Sequence, residues 1–482
     1  MGFVIYFFMI KKSILIFCAV SLSLLLLASG RLYSLDDETN YLVTRSICEY
    51  GRIDISPQME KPINVSAGRS GKLYSYYAPG TSFFGIPFYF AGKLASAFSG
   101  IGDIYITRAF FSLQGSVWGG LCAAILFIII TKLGYDEKTA VAISLINSFA
   151  TYSFALSHTI ISNFPVGVLY LLAWSTIFEN EKIFRKGLAS GIALSLAFLY
   201  RYDSALFWPI LLIGRPRRAS GIILGLIPGI VLGGVYNFAR FGSVLDTGAP
   251  DMQNMFAGNF GEGFLGLTIH PSRGILWYSP LTVLGLFGLI LLKKKFGKFM
   301  LIPFIIGILH ILIVSSHSIW NGGACWGPRH LGSIVPMLSI GLIPFIKVRK
   351  KWIKNLGVVS AILIQLYGTV VATDSWNDLL WDYGINYEVS WSTVKYNPWY
   401  GQFELLKRVN FQRLPAEYQR SKKIIPVGDT APNQIMRKSI DQWSVYAWKM
   451  GINSKIIILF LVMQIAITLF FWKRVNTRTY AS

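Results

Sequence analysis

Long apolar runs, separated by short polar or basic stretches, recur from one end of this chain to the other. A helix needs about 20 apolar residues to cross a bilayer. On that measure the pattern predicts about twelve transmembrane helices, near 13–30, 105–131, 139–157, 159–178, 187–200, 203–214, 219–238, 279–292, 299–315, 331–346, 353–372 and 455–472. The runs 187–200 and 203–214 are short, and read either as tilted helices or as one unit broken around Arg201 and Asp203. The stretch 80–98 (GTSFFGIPFYFAGKLASAF) is apolar enough to tempt assignment as a span. Making it one would invert every later loop and put the basic clusters outside. It reads instead as an amphipathic helix lying in the outer interface, and Gly85, Pro87 and Gly92 weaken it further as a lone span.

Composition supports this picture. The chain has 482 residues, 53% of them hydrophobic and 14% charged, with a mean hydropathy of +0.51. Soluble proteins carry about 25% charged residues. The net charge of +22 first suggests nucleic acid, but its distribution argues otherwise. The loops placed inside (Lys11-Lys12, 132–138, 179–187, 215–218, 293–298, 347–355 and the tail from Lys473) hold 22 of the 45 Lys and Arg residues and only 4 of the 23 acids. That bias is a topology signal, with the N-terminus cytoplasmic. It leaves an attraction to anionic lipid head groups and no basic, aromatic-laced stripe on a soluble domain for nucleic acid.

The organisation that follows is a membrane module over 1–372, an outer cap segment over 373–454, and a last helix with a cytoplasmic tail over 455–482. The module's first outer loop, 31–104, carries the 80–98 helix. The cap is polar and aromatic, with Trp376, Trp381, Trp391, Trp399, Trp443 and Trp448. These rings suit either an interfacial belt or a sugar-stacking lid. Lys11-Lys12 followed by Ser13–Ala28 resembles a secretory signal and reads as an uncleaved first helix. Of the four cysteines, Cys18 and Cys122 lie in apolar spans. Cys48 and Cys325 lie outside, where pairing is open to them; no CxxC or Cys/His spacing suggests zinc.

Chemistry concentrates in the outer loops. Asp36-Asp37-Glu38 opens the first of them, just past the first span. Capping a helix over 39–49 would occupy one carboxylate, and three consecutive acids exceed what one cap needs. Gly68–Gly80 (GRSGKLYSYYAPG) carries Lys72, Tyr76 and Tyr77, Lys72 being placed for a lipid phosphate or for ordinary snorkelling. His270 and Arg273 gather before the span at 279–292. Arg329 and His330 follow the glycine-rich WNGGACWGP, and an arginine there suits bidentate phosphate contact as well as interface anchoring. His158, Asn163 and Arg201 are polar groups at the outer ends of apolar runs, positioned for substrate contact. Arg201 and Asp203 are also able to neutralise each other. No P-loop, GxGxxG, HExxH or GxSxG occurs, which argues against soluble-nucleotide chemistry.

These features together resemble the GT-C superfamily of membrane glycosyltransferases, nearest to the lipid A aminoarabinose transferases and protein O-mannosyltransferases. Asp37-Glu38-Thr39-Asn40-Tyr41 matches the family's acidic pair and following aromatic. Tyr77-Ala78-Pro79-Gly80 followed by Ile86-Pro87-Phe88-Tyr89 resembles the start of its interfacial helix. Arg108, and Gly187–Tyr200 followed by Pro209, fit its rhythm. The resemblance covers roughly the first 240 residues. Two departures stand out. Ala78-Pro79-Gly80 occupies the place of the family's frequent Lys-Pro-Pro. Ser162-Asn163-Phe164-Pro165 lies where relatives carry Thr-Asp, so a second carboxylate is missing and the acceptor class stays open.

The resemblance implies an all-α, GT-C-like bundle in the cell or cytoplasmic membrane that moves a sugar, with inversion, from a polyprenyl-phosphate donor to a hydroxyl of a lipid or glycan acceptor on the extracytoplasmic face. The residues suit that chemistry. A base must reach the acceptor hydroxyl: Asp37 is the expected one, with Asp36 the close alternative and Glu38 orienting the loop or binding acceptor. Charge developing on the leaving phosphate calls for cations, for which Lys72, Arg273, Arg329 and His330 are candidates. Tyr76, Tyr77, His158, Asn163, Arg201 and His270 are the remaining substrate-binding candidates. No cofactor is demanded. A divalent metal stays open, since Asp36, Asp37 and His270 offer ligands at an undiagnostic spacing. The rival reading is a polytopic transporter or lipid flippase, which calls for paired broken helices in two halves, and only the interruption at Arg201 is evident. A non-catalytic scaffold would leave the acidic loop without a purpose.

Overall fold

The computed structural model describes residues 2–56, 64–99, 101–176, 182–250, 254–385, 393–419 and 435–477. Among these the architecture is helical, with one two-stranded hairpin. Six helical stretches are long and apolar enough to cross a membrane: Tyr6–Leu27, Asp103–Lys132, Ile183–Tyr200, Pro216–Phe241, Lys298–Ser315 and Ser454–Asn476. A seventh forms if Lys351–Thr369 and Thr373–Asp382, bent by 47°, count as one. The protein is thus an integral, multi-pass membrane protein. The other expected spans are short or broken. The 139–157 region divides into Glu137–Ala150 and Ser153–Ser157, 203–214 is half 3-10 helix, and 331–346 is a chain of short turns. Proline at 336 and 344 explains the last case, because each removes a backbone donor.

The first helix, α1 (Gly2–Leu27), leads to α2 (Leu35–Tyr50). A hairpin pairs β1 (Val65–Ala67) with β2 (Leu73–Ser75) and delivers Tyr76 and Tyr77 directly after it. The 80–98 stretch becomes α3 (Gly80–Phe84) and α4 (Ile86–Ser99), neither long enough to span. Phe83, Phe90, Leu94 and Phe98 on it are exposed, while Tyr89 is buried and donates to Glu49 at 2.5 Å. Then come α5 (Asp103–Ser112), α6 (Gln114–Lys132), α7 (Glu137–Ala150), α8 (Ser153–Ser157), α9 (Asn163–Thr176), α10 (Ile183–Tyr200), α11 (Trp208–Gly214) and α12 (Ala219–Phe241).

Helices α10 and α12 pack most closely. Gly187, Gly191 and Ser195 recur every four residues on one, and meet Gly221, Gly225 and Gly229 on the other. A Cβ at Gly225 would stand 2.5 Å from the Leu188 carbonyl oxygen, so only glycine permits this approach. In lipid, where apolar burial gives little driving force between helices, such backbone contact is a main source of cohesion. Outward-facing Ile223, Ile227, Ile230 and Val231 on α12 suit a lipid environment.

The two ends of the bundle are tied differently. At one end the Lys12 ammonium pairs with Glu137 at 2.7 Å and donates to the Val475 carbonyl, joining α1, α7 and the last helix. At the other end the segment after Thr373 folds back onto α1. The Trp443 amide donates to the Ala28 carbonyl at 2.9 Å, Ser29 donates to Asp441 at 2.6 Å, and Arg31 pairs with Asp374. In this segment Trp376 is buried and donates to the Tyr396 carbonyl, Trp399 packs on Trp326 and Tyr367, and Trp381 is exposed. Trp391 lies outside the described residues. All four cysteines, Cys48 and Cys325 included, are free thiols.

Candidate active site

The acidic triplet occupies the first turn of α2, and its three side chains go to different partners. Ser34 is the N-cap. Its hydroxyl accepts from the Asp37 amide at 3.2 Å, and the Asp37 carboxylate accepts from the Ser34 amide at 3.2 Å, forming a capping box. Asp37 is therefore turned inward and only 6% exposed. Burial, reinforced by the neighbouring Asp36 charge, pushes its carboxyl up to about 8. Glu38 faces away and pairs through both oxygens with Arg108, whose guanidinium lies 4.9 Å over the Tyr41 ring.

Asp36 alone points into a cluster. Its Oδ1 accepts from the Tyr77 hydroxyl at 2.6 Å and from the Asn64 amide at 3.1 Å, and its Oδ2 lies 3.3 Å from the Arg329 guanidinium. The side chain keeps 33% exposure, so a reactant has access. The Tyr76 ring packs at a tilt beside that of Tyr77, with centroids 4.6 Å apart. Burial and the Asp36 charge raise the Tyr77 phenol, keeping it a neutral donor.

Arg201, at the break after α10, lies within electrostatic range of both Asp36 and Arg329. Asp203 holds it through two oxygens at 3.0 and 2.8 Å, and it donates to Asn163 at 3.0 Å. Asn163 in turn donates to the His330 carbonyl at 3.3 Å. The His330 ring stacks on His317 at 5.6 Å. Burial, then the charges of Arg329 and Arg201, keep His330 well below the ordinary histidine range. It is thus a neutral ring here rather than the expected cation.

The structure therefore brings together Asp36, Tyr76, Tyr77, Asn163, Arg201, Arg329 and His330, with Asp37 on the flank. The remaining candidates have other work. Lys72 lies 3.6 Å from Asp54. Arg273 is buried and donates to the carbonyls of Cys325 and Gly323, bracing the 321–329 loop. His158 is buried against Asp441 at 3.1 Å, and burial lowers it to about 4. His270 accepts from the Ser272 amide at 3.3 Å. Among the described residues no three His, Cys, Asp or Glu side chains are grouped to hold a metal ion, and Asp36, Asp37 and His270 do not converge.

Three contributors escaped the sequence. Asn64 and His317 carry no motif. Arg240 is fully buried at the end of α12, where it donates to the carbonyls of Ser75 and Tyr77 and to Asn237 at 2.6 Å, with Tyr236 stacked 4.0 Å away. It fixes the strand that presents Tyr77. Its signal was a lone arginine closing an otherwise apolar run, a position where a buried charge needs a reason.

No protein-family model matches the chain, and no curated protein matches it. Among solved structures, the chain is similar to ArnT from Cupriavidus metallidurans bound to undecaprenyl phosphate, at 14% identity, with a TM-score of 0.47, over 97% of this chain and 78% of that one. Apo ArnT of the same organism gives 12% identity and 0.47 over 94% and 76%. The archaeal oligosaccharyltransferase AglB from Archaeoglobus fulgidus, in complex with an inhibitory peptide and a dolichol-phosphate, gives 12% identity and 0.42 over 80% and 58%.

Proposed function

We propose that the protein is a GT-C-type glycosyltransferase that moves a hexosyl or pentosyl group from a polyprenyl-phosphate donor to an acceptor hydroxyl, with inversion, and that Asp36 is the base. The observation that carries this reading is a cluster in which an accessible carboxylate, Asp36, lies 3.3 Å from the Arg329 guanidinium, with Arg201 within electrostatic range. A base and a phosphate clamp are the two elements such a transfer requires. The acceptor oxygen attacks the anomeric carbon as the bond to phosphate breaks. Its proton passes to Asp36, and the lipid phosphate leaves as an anion. Without donor, Arg329 rests on Asp36. A donor phosphate competes for that guanidinium and leaves Asp36 to the Tyr77 and Asn64 donors. Asp37 supports the turn rather than taking the proton.

The proposed site belongs to the extracytoplasmic face, a reading supported by the basic loops that meet at the opposite end of the bundle, where Lys12 pairs with Glu137 and Lys295 and Lys347 lie over the Tyr135 ring. The test is transfer of labelled sugar from a polyprenyl-phosphate donor in membranes holding the intact chain, Asp36→Asn or Arg329→Gln. Loss in both variants supports the reading. Undiminished transfer by Asp36→Asn removes the base and with it the mechanism.

A further inference from the structure

Two of the loops that deliver the site meet at one carboxylate outside it. The first loop, 28–34, ends at Ser34, the N-cap that sets Asp36 in the first turn of α2. The second, 158–162, ends at Asn163, which accepts from Arg201 and donates to the His330 carbonyl. Asp441 reaches both. Its Oδ1 accepts from the Ser29 hydroxyl at 2.6 Å and from the Tyr446 hydroxyl at 3.0 Å, and its Oδ2 accepts from His158 Nε2 at 3.1 Å. Its own amide donates to the Val370 carbonyl at 2.9 Å, which anchors the tie where the helix Lys351–Thr369 ends. The Asp441 side chain is wholly buried, and Arg31 is the cation within electrostatic range. A buried carboxylate is costly unless donors meet it, and here they come from three separate parts of the chain.

Anchoring the 435–449 segment does not require this carboxylate. The Trp443 amide on the Ala28 carbonyl and the Gln442 side-chain amide on the Leu26 carbonyl, at 2.9 and 2.8 Å, already do that. What Asp441 adds is a charge-assisted bond to each site loop from one fixed group. We infer that Asp441 is a positioning residue, which through Ser29 and His158 sets the spacing between the base and the arginine clamp of the proposed transfer. The effect on rate rests on that reading of the site, and the tie itself rests on the contacts alone. Supporting hydrogen bonds of this kind hold a site to its productive geometry, and misplacing a reacting group by about 1 Å can cost about a hundredfold in rate. Each loop keeps its own substrate contacts, so donor affinity is affected less.

The experiment compares the full chain with Asp441→Ala, Ser29→Ala and Asp36→Asn, measuring labelled-sugar transfer per folded protein and hydrogen exchange of the backbone amides. Asp441→Ala should lower kcat by about ten- to a hundredfold and change the donor KM by less than about threefold. Amides of 28–37 and of 158–164 should both exchange faster in it. Ser29→Ala removes one bond and guards against an Asp441→Ala chain that does not fold; kcat should fall in it too, and an unchanged kcat overturns the inference. An unchanged kcat in Asp441→Ala beside an inactive Asp36→Asn overturns the inference and leaves the proposed function standing. Undiminished transfer in Asp36→Asn overturns the proposed function and with it the effect on rate. The exchange data then decide the tie by themselves, and faster exchange confined to 437–450 refutes it.

Discussion

The sharpest prediction separates Asp36 from Asp37, which are adjacent in sequence and opposite in environment. Asp36→Asn removes the charge that faces Arg329 but keeps an acceptor for Tyr77 and Asn64, so the fold around it should persist. Loss of a positioned base costs typically 10²–10⁴-fold in rate, so transfer should fall by about that factor. Asp37→Asn keeps an oxygen able to accept from the Ser34 amide and removes a carboxyl already neutral over much of the neutral range. Its cost should stay within about 1 kcal/mol of stability, the scale of a helix cap, with less than about tenfold on rate. The assay is labelled-sugar transfer at saturating donor, with unfolding of each variant followed in the same detergent. pH adds an independent test. A base with its carboxyl near 8 would be mostly protonated at neutral pH, so activity through Asp37 would climb as pH rises through about 8. Transfer abolished in Asp37→Asn, retained in Asp36→Asn and rising toward pH 8 would refute the assignment.

Other consequences follow from the same contacts. Because folding raises the Asp37 carboxyl, the stability it contributes is full below the unfolded value near about 3.9 and is lost as pH rises through about 8. Asp37→Asn should therefore flatten the decline in unfolding midpoint across that window. Arg329→Gln should raise the donor KM by roughly ten- to a hundredfold, the worth of a charge-assisted hydrogen bond, measured by initial rates over a donor series. Gly225→Val should disrupt the α10–α12 contact by driving a side chain into the Leu188 carbonyl, costing about 1–3 kcal/mol or more in thermal unfolding. Arg31→Gln leaves Asp374 buried without its cation. Breaking a buried pair costs about 3–5 kcal/mol, so limited proteolysis should cut within 373–454 at lower protease, with the rest of the chain intact.

The membrane character and the helical class were legible because hydropathy is a local property and bilayer thickness is a fixed yardstick. The span count was less so. Segments such as 139–157 and 331–346 are as apolar as true spans. Whether they run straight depends on Thr151 leaving helical geometry and on Pro336 and Pro344 in a crowded core. The stretch 80–98 was readable as something other than a lone span, because charge bias in later loops constrains it, and it forms two short helices that meet at Gly85. The contacts of Asp374, Asp441 and Trp443 with the end of α1 were out of reach: Arg31 and Asp374 are 343 positions apart, and neither residue type announces its partner.

The site was legible as an inventory and illegible as a geometry. Three acids in a row say that one cap is overfilled, but a helix turns by about 100° per residue, so adjacent side chains necessarily face different surroundings. Only the capping box decides which one is turned inward, and Ser34 makes it with Asp37. That leaves Asp36 facing the arginines and Glu38 facing Arg108. The cations were harder. Lys72, Arg273 and Arg329 look alike as basic residues in outer loops, yet Arg273 spends its donors on carbonyls of the very loop that presents Arg329. An arginine braces its own chain when turning glycines leave carbonyls without partners, and Gly322, Gly323 and Gly327 all adopt positive φ in that loop. A cluster of glycines thus marks not only where a ligand comes close but also where a nearby arginine is consumed in holding the backbone, which is why the second arginine of the site came from the break after α10 and not from Arg273.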